Sequence, residues 1–171
     1  MSDTLTIRIA QPTDSAAFAA LFAQLDWPGK DLAQFDAYLE AQRRGEKVWL
    51  VAVAGEEAAG YVCVDWRSGY APFQECGIPE ISDLNVLPTW RRQGIGSALL
   101  DAAESTVAER TNTAGLGVGL YEDYGQAWRL YVQRGYVPDG RGIVYDGQQV
   151  EPGATIAIDD SAVVMLTRTL R

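Results

Sequence analysis

The sequence predicts an α/β fold with a mixed sheet, because strand patterns and helix patterns alternate along the chain. Residues 48–53 and 59–66 are short apolar runs rich in valine and aromatic residues, as strands are. The turn Gly55-Glu-Glu lies between them and predicts an antiparallel hairpin. Residues 95–106 instead place their apolar side chains at helical spacing. Two periodicities in one short chain therefore indicate strands and helices in the same fold.

Taken in order, the patterns predict eleven elements in the sequence β-α-α-β-β-β-α-β-α-β-β. Leu5–Ile9 is a strand, and Thr13 or Asp14 caps a helix that Trp27-Pro-Gly interrupts. A second helix follows at about 31–44 and ends at Gly45. After the hairpin, residues 67–78 are predicted as a loop. The remaining predicted elements are a central strand 79–87, a helix 94–110, a strand 115–120, a helix 125–134 and strands near 136–145 and 161–170.

Length and composition predict one domain over residues 1–171. A chain of 171 residues with 47% hydrophobic content has the size of a single compact core. No run of about 18 apolar residues and no leader-like pattern is found, so we expect a cytoplasmic protein. Cys63 and Cys76 are isolated, which favours neither a disulfide framework nor a zinc site. We therefore expect no metal.

The net charge and the absence of histidine limit the partners and the catalytic groups that the protein can have. The formal net charge of −9 argues against a nucleic-acid partner and favours a cationic substrate. The chain has no histidine, which excludes a Ser-His-Asp triad and a Cys-His pair. Carboxylates, tyrosines and backbone groups remain for proton transfer.

The segment from Val86 to Ala98 predicts an anion-binding turn. It joins a strand pattern to a helix pattern, so the free N–H groups of the helix start point at the turn. Gly94 and Gly96 let a phosphate approach the backbone, and two arginines add positive charge. The turn lacks the Gly-Lys-Ser/Thr end of a P-loop, and it lacks the third small residue that a dinucleotide fingerprint would have near Leu99. The predicted phosphate ligands are Arg91, Arg92, Gln93, Gly94, Ile95, Gly96 and Ser97.

Two motifs resemble those of the GNAT superfamily of acetyl-CoA-dependent N-acetyltransferases. The first is Arg91-x-x-Gly94-x-Gly96, and the second is Ala127-x-x-x-Tyr131-x-x-x-Gly135-Tyr136. Together they cover roughly residues 80–137. The resemblance implies a mixed, mostly antiparallel central sheet flanked by helices, with acetyl-CoA as cosubstrate. It also implies that the backbone of Leu84 to Val86 binds pantetheine.

The chain departs from the family pattern shortly before the second motif. Many relatives have an asparagine there that holds the cofactor, whereas this chain has Tyr124-Gly125-Gln126.

The resemblance and the residue chemistry together select candidate catalytic groups. Strand alternation puts Glu80 on the face of Leu84 and Val86, and Asp83 on the other face. Family members with a strand-borne glutamate base carry it at a matching offset, so we favour Glu80 as general base, acting through water. Asp83 stays the alternative. Tyr131 is the candidate general acid, because a phenol stays protonated at neutral pH and can donate to a thiolate.

The acceptor is predicted only as a primary amine, on a small molecule or on a peptide or protein. Acidic and aromatic residues on the expected acceptor side could hold a cation; these are Asp26, Trp27, Tyr70, Glu122, Asp123 and Tyr145. The sequence leaves open whether the donor is acetyl or a longer acyl group, and whether the protein is a monomer or a homodimer. A catalytically inactive acyl-CoA sensor or interaction module is the alternative function. We expect neither a nucleic acid nor a membrane as partner.

Overall fold

The structure, a computed structural model, describes residues 4–171, which form two compact units. The first unit consists of the described residues up to Asp65 together with Asp83–Ala103, and the second consists of Trp66–Ser82 and Glu104–Arg171. Strand β4 (Glu80–Val86) and helix α4 (Ile95–Ala108) each contribute residues to both units. The single domain stays a prediction.

Strands of the first unit pair in the order β1-β2-β3-β4. β1 (Leu5–Ile9), β2 (Lys47–Ala54) and β3 (Glu57–Asp65) pair antiparallel. The predicted hairpin is thereby confirmed. Helices α1 (Asp14–Gln24) and α2 (Leu32–Arg43) also belong to this unit, and both occur where apolar spacing predicts them.

An aromatic cluster forms the core of the first unit. Phe18 and Phe22 of α1 and Phe35 of α2 are at most 1% exposed, as are Trp49 of β2 and Tyr61 of β3. Their rings lie 5.4–6.1 Å apart, with most pairs tilted or edge-to-face. Burial of five large rings is a main source of stability for this unit.

The starts of α1 and α2 are stabilised in different ways. Thr13 is the N-cap of α1, but its side chain makes no capping bond. The Asp14 carboxylate instead accepts from the Gln11 amide at 2.6 Å and from Arg8 at 2.7 and 2.9 Å. At α2, the Asp31 side chain accepts from the Gln34 amide at 2.9 Å, as an N-cap does.

Strands of the second unit follow the order β4-β5-β8-β6-β7. β5 (Thr113–Gly119) pairs parallel with the start of β4 through Glu80 and Gly115, and the other pairs are antiparallel. The remaining elements are β6 (Val137–Tyr145), β7 (Gln148–Gln149), β8 (Ala162–Thr169), α3 (Ala71–Glu75) and α5 (Gly125–Gln133). The predicted class, α/β with a mixed and mostly antiparallel sheet flanked by helices, is confirmed.

Two short elements were not predicted. The presumed loop 67–78 contains α3, with Pro72 in its first turn and a 2%-exposed Phe73. A Cβ at Gly115 would lie 2.2 Å from the Phe73 ring, so the missing side chain of that glycine makes room for it. The turn-rich segment after β6 contains β7. Elements of five and two residues are too short to show a period.

None of the helices in residues 4–171 is long and apolar enough to span a membrane.

Candidate functional site

In the first unit, the chain turns sharply between β4 and α4. A 3₁₀ turn at Pro88–Trp90 is followed by left-handed φ angles of +62° at Arg92 and +80° at Gly94. The Ala98 amide donates to the Gly94 carbonyl at 3.0 Å, which makes Gly94 the N-cap of α4. The amides of Ile95, Gly96 and Ser97 therefore precede the first helical hydrogen bond and are available to an anion.

The side chains of this turn lie on the surface. Arg91, Arg92, Gln93 and Gly94 are all exposed, whereas Ile95 is buried and anchors the helix. Arg91 Nε donates to the Val86 carbonyl at 3.1 Å, and Gln93 Nε2 to the Thr89 carbonyl at 3.2 Å. The Arg91 side chain is thus folded back onto the end of β4, where the resemblance implies pantetheine.

β4 does not alternate strictly, because Asp83 has a φ of +52°. A left-handed residue interrupts the alternation of faces along a strand, so alternation alone does not place Glu80 on the face of Leu84 and Val86. That shared face stays a prediction. Leu84 and Val86 are both half-buried. A Cβ at Gly60 would lie 2.5 Å from the Asn85 carbonyl, so only glycine allows β3 to approach β4 this closely.

The Asp83 carboxylate is the centre of a polar cluster in the first unit. It accepts from the Lys30 ammonium, from the Tyr38 hydroxyl at 2.5 Å and from the Tyr61 hydroxyl at 2.7 Å. Asn85 Nδ2 donates to it at 2.8 Å. Burial opposes ionisation, but Lys30 and the two hydroxyls outweigh it and hold the pKa of Asp83 below its ordinary value. Four donors saturate this carboxylate.

Glu80 belongs to the second unit and has a different environment. It is half-buried, and the fully buried Ser68 hydroxyl donates to its Oε2. Ser68 is itself oriented, because its Oγ accepts from the Tyr70 amide at 3.0 Å. The adjacent carbonyl of Pro79 accepts from the Gly115 amide at 3.0 Å, which ties the start of β4 to β5. Sequence reasoning missed Ser68, whose only signal is a serine-glycine pair in the predicted loop.

Tyr131 lies on α5 and is 7% exposed. Burial alone raises the pKa of its hydroxyl to about 12, so the hydroxyl stays protonated at neutral pH. In the described chain, it has no hydrogen-bond partner. All seven other tyrosine hydroxyls donate to a carboxylate; these are Tyr38, Tyr61, Tyr70, Tyr121, Tyr124, Tyr136 and Tyr145. Among the tyrosines, Tyr131 is therefore the one whose hydroxyl proton is not donated to a carboxylate in residues 4–171.

Tyr124, in the segment where the resemblance implies a cofactor-binding asparagine, packs against Gly119. A Cβ at Gly119 would lie 2.4 Å from its ring, and its hydroxyl donates to Asp160 at 2.9 Å.

The predicted acceptor residues have varied surroundings. In the first unit, Asp26 and Trp27 line a cavity of about 460 Å³ together with Phe22 and Lys30. In the second unit, the Tyr70 hydroxyl donates to Asp139 at 2.8 Å and the Tyr145 hydroxyl to Asp159 at 2.9 Å. Glu122 and Asp123 form the 3₁₀ turn before α5.

Within residues 4–171, no group of three or more histidine, cysteine, aspartate or glutamate side chains could hold a metal ion.

Several solved structures share this fold. An N-acetyltransferase from Staphylococcus aureus Mu50 aligns with a TM-score of 0.73 at 16% identity, covering 98% of this chain and 99% of that one. An acetyl transferase from Salmonella typhimurium, which modifies the N-terminal serine of ribosomal protein L7/L12, aligns with a TM-score of 0.72 at 15% identity, covering 99% and 97%. Arabidopsis thaliana NAA60, in complex with a bisubstrate analogue, aligns with a TM-score of 0.69 at 17% identity, covering 98% of each chain.

Sequence comparison identifies the family directly. No curated protein shows significant similarity to the chain. The model of the acetyltransferase (GNAT) family, however, matches residues 15–136, which include the turn, β4 and Tyr131. Members of this family use acetyl-CoA or another acyl-CoA as the donor. The protein therefore belongs to the GNAT acetyltransferase family.

Proposed function

We propose that this protein transfers an acetyl group from acetyl-CoA directly to the nitrogen of a primary amine. The observation that carries the proposal is the uncommitted hydroxyl of Tyr131. Expulsion of CoA from a tetrahedral intermediate requires a proton donor for the departing thiolate. Tyr131 has this proton available, while the other tyrosines donate theirs to carboxylates.

The donor binds at the turn between β4 and α4. Its pyrophosphate accepts from the amides of Ile95, Gly96 and Ser97 at the positive end of the α4 dipole. Arg91, Arg92 and the Gln93 side chain lie on the exposed rim and add donors. Arg91 releases the Val86 carbonyl when it turns to a phosphate, and that carbonyl becomes available to pantetheine.

Glu80 is the better candidate for general base. A base must offer an unshared electron pair to a proton. Four hydrogen-bond donors already occupy the carboxylate oxygens of Asp83. The lowered pKa of Asp83 also makes it a weak base. The Ser68 hydroxyl donates to Oε2 of Glu80 and so orients its carboxylate.

The proposed chemistry is a direct displacement at the thioester carbonyl. The amine, having lost a proton to Glu80 through water, attacks the carbonyl carbon and forms the new C–N bond. The C–S bond then breaks, and the sulfur takes the proton of the Tyr131 hydroxyl. After attack the nitrogen carries a positive charge and loses its second proton to solvent. Glu80 then releases the proton it gained and Tyr131 regains one from solvent. The ammonium thus loses two protons in total, and CoA leaves as the thiol, which balances the cycle.

We propose a cationic amine as the acceptor. The net charge of −9 favours approach of cations, and Trp27 beside Asp26 offers a ring and a carboxylate to an ammonium group. The Salmonella typhimurium relative acts on a protein N-terminus, which supports an amine as acceptor.

A panel of amines, assayed for CoA release, tests the proposed function. The panel includes polyamines, an aminoglycoside and peptides with free N-termini, and we expect turnover with at least one of them. Binding of acetyl-CoA without transfer to any amine would contradict the enzyme and support an acyl-CoA sensor.

Tyr131→Phe tests the role of the hydroxyl. We expect kcat to fall by about 10²-fold, with acetyl-CoA affinity unchanged, because only the proton donor is lost. The loss should shrink with an acyl donor whose thiol is more acidic. Tyr121→Phe is the control, since it also removes one tyrosine hydroxyl in the second unit, and Tyr121 has no part in the proposed mechanism. Wild-type kcat in Tyr131→Phe with every donor would remove Tyr131 from the mechanism.

A further inference from the structure

Helix α5 ends in a motif that couples Tyr131 to the next tyrosine. Gly135 has a φ of +90°, and its amide donates to the Val132 carbonyl at 3.0 Å. The Tyr136 amide donates to the Tyr131 carbonyl, also at 3.0 Å. These two bonds define a Schellman motif, which brings together the side chains that flank the helix end. The Tyr131 and Tyr136 rings accordingly pack edge-to-face, with centroids 5.9 Å apart.

The far end of Tyr136 is held by a buried carboxylate, Glu104 of α4. Glu104 is 8% exposed and accepts from the Tyr136 hydroxyl at 3.0 Å. It also accepts from Arg134 Nε at 3.1 Å and from Arg168 Nη1 at 2.7 Å. Arg134 is the C-cap of α5, and Arg168 belongs to β8. One carboxylate thus ties α4, the end of α5 and β8 together within the second unit.

We propose that Glu104 and Tyr136 are positioning residues for the Tyr131 hydroxyl. The proposal rests on the proposed function, in which that hydroxyl protonates the leaving thiolate. Because the hydroxyl has no hydrogen bond of its own in the described chain, the position of its oxygen is set by how the ring is packed. The Tyr136 ring packs against the Tyr131 ring, and the hydrogen bond from Tyr136 to Glu104 fixes the position of the Tyr136 ring.

The partners of Glu104 keep its carboxylate charged despite burial. Burial raises the pKa of Glu104, but the bonds from Arg134, Arg168 and Tyr136 outweigh this and lower it overall. Glu104 is therefore ionised across the range in which the reaction is measured, and it holds Tyr136 throughout.

The sharpest test is Tyr136→Phe, which keeps the ring against Tyr131 and deletes only the bond to Glu104. We expect kcat to fall by about 3- to 10-fold, since small misplacements of a reacting group lower the rate. The acceptor KM and the affinity for acetyl-CoA should not change. The loss should shrink with a more acidic thiol, as expected for Tyr131→Phe.

A double mutant separates positioning from general loosening. If Tyr136 acts through the Tyr131 hydroxyl, Tyr136→Phe should have no further effect on kcat in the Tyr131→Phe background. Glu104→Gln, which keeps the side-chain size but removes the charge, should lower kcat by about tenfold in the wild-type background and also have no effect in Tyr131→Phe.

Asp14→Asn is the matched control for Glu104→Gln. Asp14 is also 10% exposed at its side chain and also pairs with an arginine, but in the first unit. At temperatures equally far below their Tm, Asp14→Asn should keep the wild-type kcat. Wild-type kcat in Tyr136→Phe, or additive losses in the double mutant, would overturn the positioning role while leaving Tyr131 as the acid. Wild-type kcat in Tyr131→Phe would instead overturn the proposed function itself.

Discussion

At the scale of single residues, this protein uses its carboxylates to hold tyrosine hydroxyls. It has 23 acidic residues against 14 basic ones, and seven tyrosines donate to aspartate or glutamate. Part of the acidic excess therefore has an internal role. Tyr131 differs from these seven tyrosines, because its hydroxyl donates to no carboxylate of the described chain.

The two candidate bases can be separated by amide substitution. With a good acceptor, Glu80→Gln should lower kcat by about 10²-fold and flatten the acidic side of the pH–rate profile, because the group that must be ionised is gone. Asp83→Asn should instead lower the free energy of unfolding, since Lys30 loses its partner in a half-buried site.

Steady-state kinetics and urea unfolding of both variants provide the measurements. Affinity for acetyl-CoA, measured by calorimetry, serves as the control and should stay the same in Glu80→Gln. A large loss of kcat in Asp83→Asn, together with a silent Glu80→Gln, would make Asp83 the base.

At the scale of elements, the sequence predicted the turn between β4 and α4 but not the interruption of β4 at Asp83. Glycines and arginines at fixed spacing mark the turn in the sequence. The interruption of β4 at Asp83 has no such mark, because aspartate is compatible with both an extended and a left-handed φ, and tertiary contacts decide between them. Lys30, Tyr38 and Tyr61 supply those contacts from distant parts of the chain.

Substitutions in the turn should weaken donor binding without unfolding the protein. Arg91→Ala should raise the Kd for acetyl-CoA by about tenfold, which corresponds to about 1.4 kcal/mol. Gly94→Val should weaken binding more, because the φ of +80° at this position is strained for a β-branched residue.

Isothermal calorimetry gives the Kd values, and Arg43→Ala is the control because Arg43 is an exposed arginine of α2. Equal affinity of the wild-type protein for CoA and for adenosine would contradict a pyrophosphate site in the turn.

At the scale of the whole molecule, the buried carboxylates should make stability depend on pH in the acidic range. Contacts with cationic side chains lower the pKa of Asp14, Asp83 and Glu104 below ordinary values despite burial. A lowered folded-state pKa means that the unfolded chain binds protons first as the pH falls. The stabilisation is therefore complete above the ordinary carboxyl pKa of about 4 and is lost below it. With no histidine in the chain, no imidazole titrates near neutrality.

Urea unfolding followed by tryptophan fluorescence between pH 7 and pH 3 measures this dependence. Asp14→Asn should be less stable than the wild type at pH 7 and should lose less stability on acidification. Identical pH dependence in the two proteins would show that the Arg8–Asp14 pair does not contribute.

The sequence alone determined the fold class, the order of the long elements, the family and the turn between β4 and α4. Each of these depends on local patterns, such as apolar spacing, glycine at a turn or a motif of contiguous residues. It also contained a sign of Glu104, a carboxylate on the buried face of α4 between Leu100 and Val107, although that sign does not say which residues it meets.

Only the tertiary structure decided which polar groups already have hydrogen-bond partners within the protein and which are available to a substrate. The donors around Asp83 come from a loop, α2, β3 and β4, and those around Glu104 come from α5, β8 and the residue before β6. No spacing rule links residues so far apart, because their contacts arise from the way helices and strands pack. The free hydroxyl of Tyr131 could be recognised only after the partners of every other tyrosine were known, since availability is a property of the whole hydrogen-bond network.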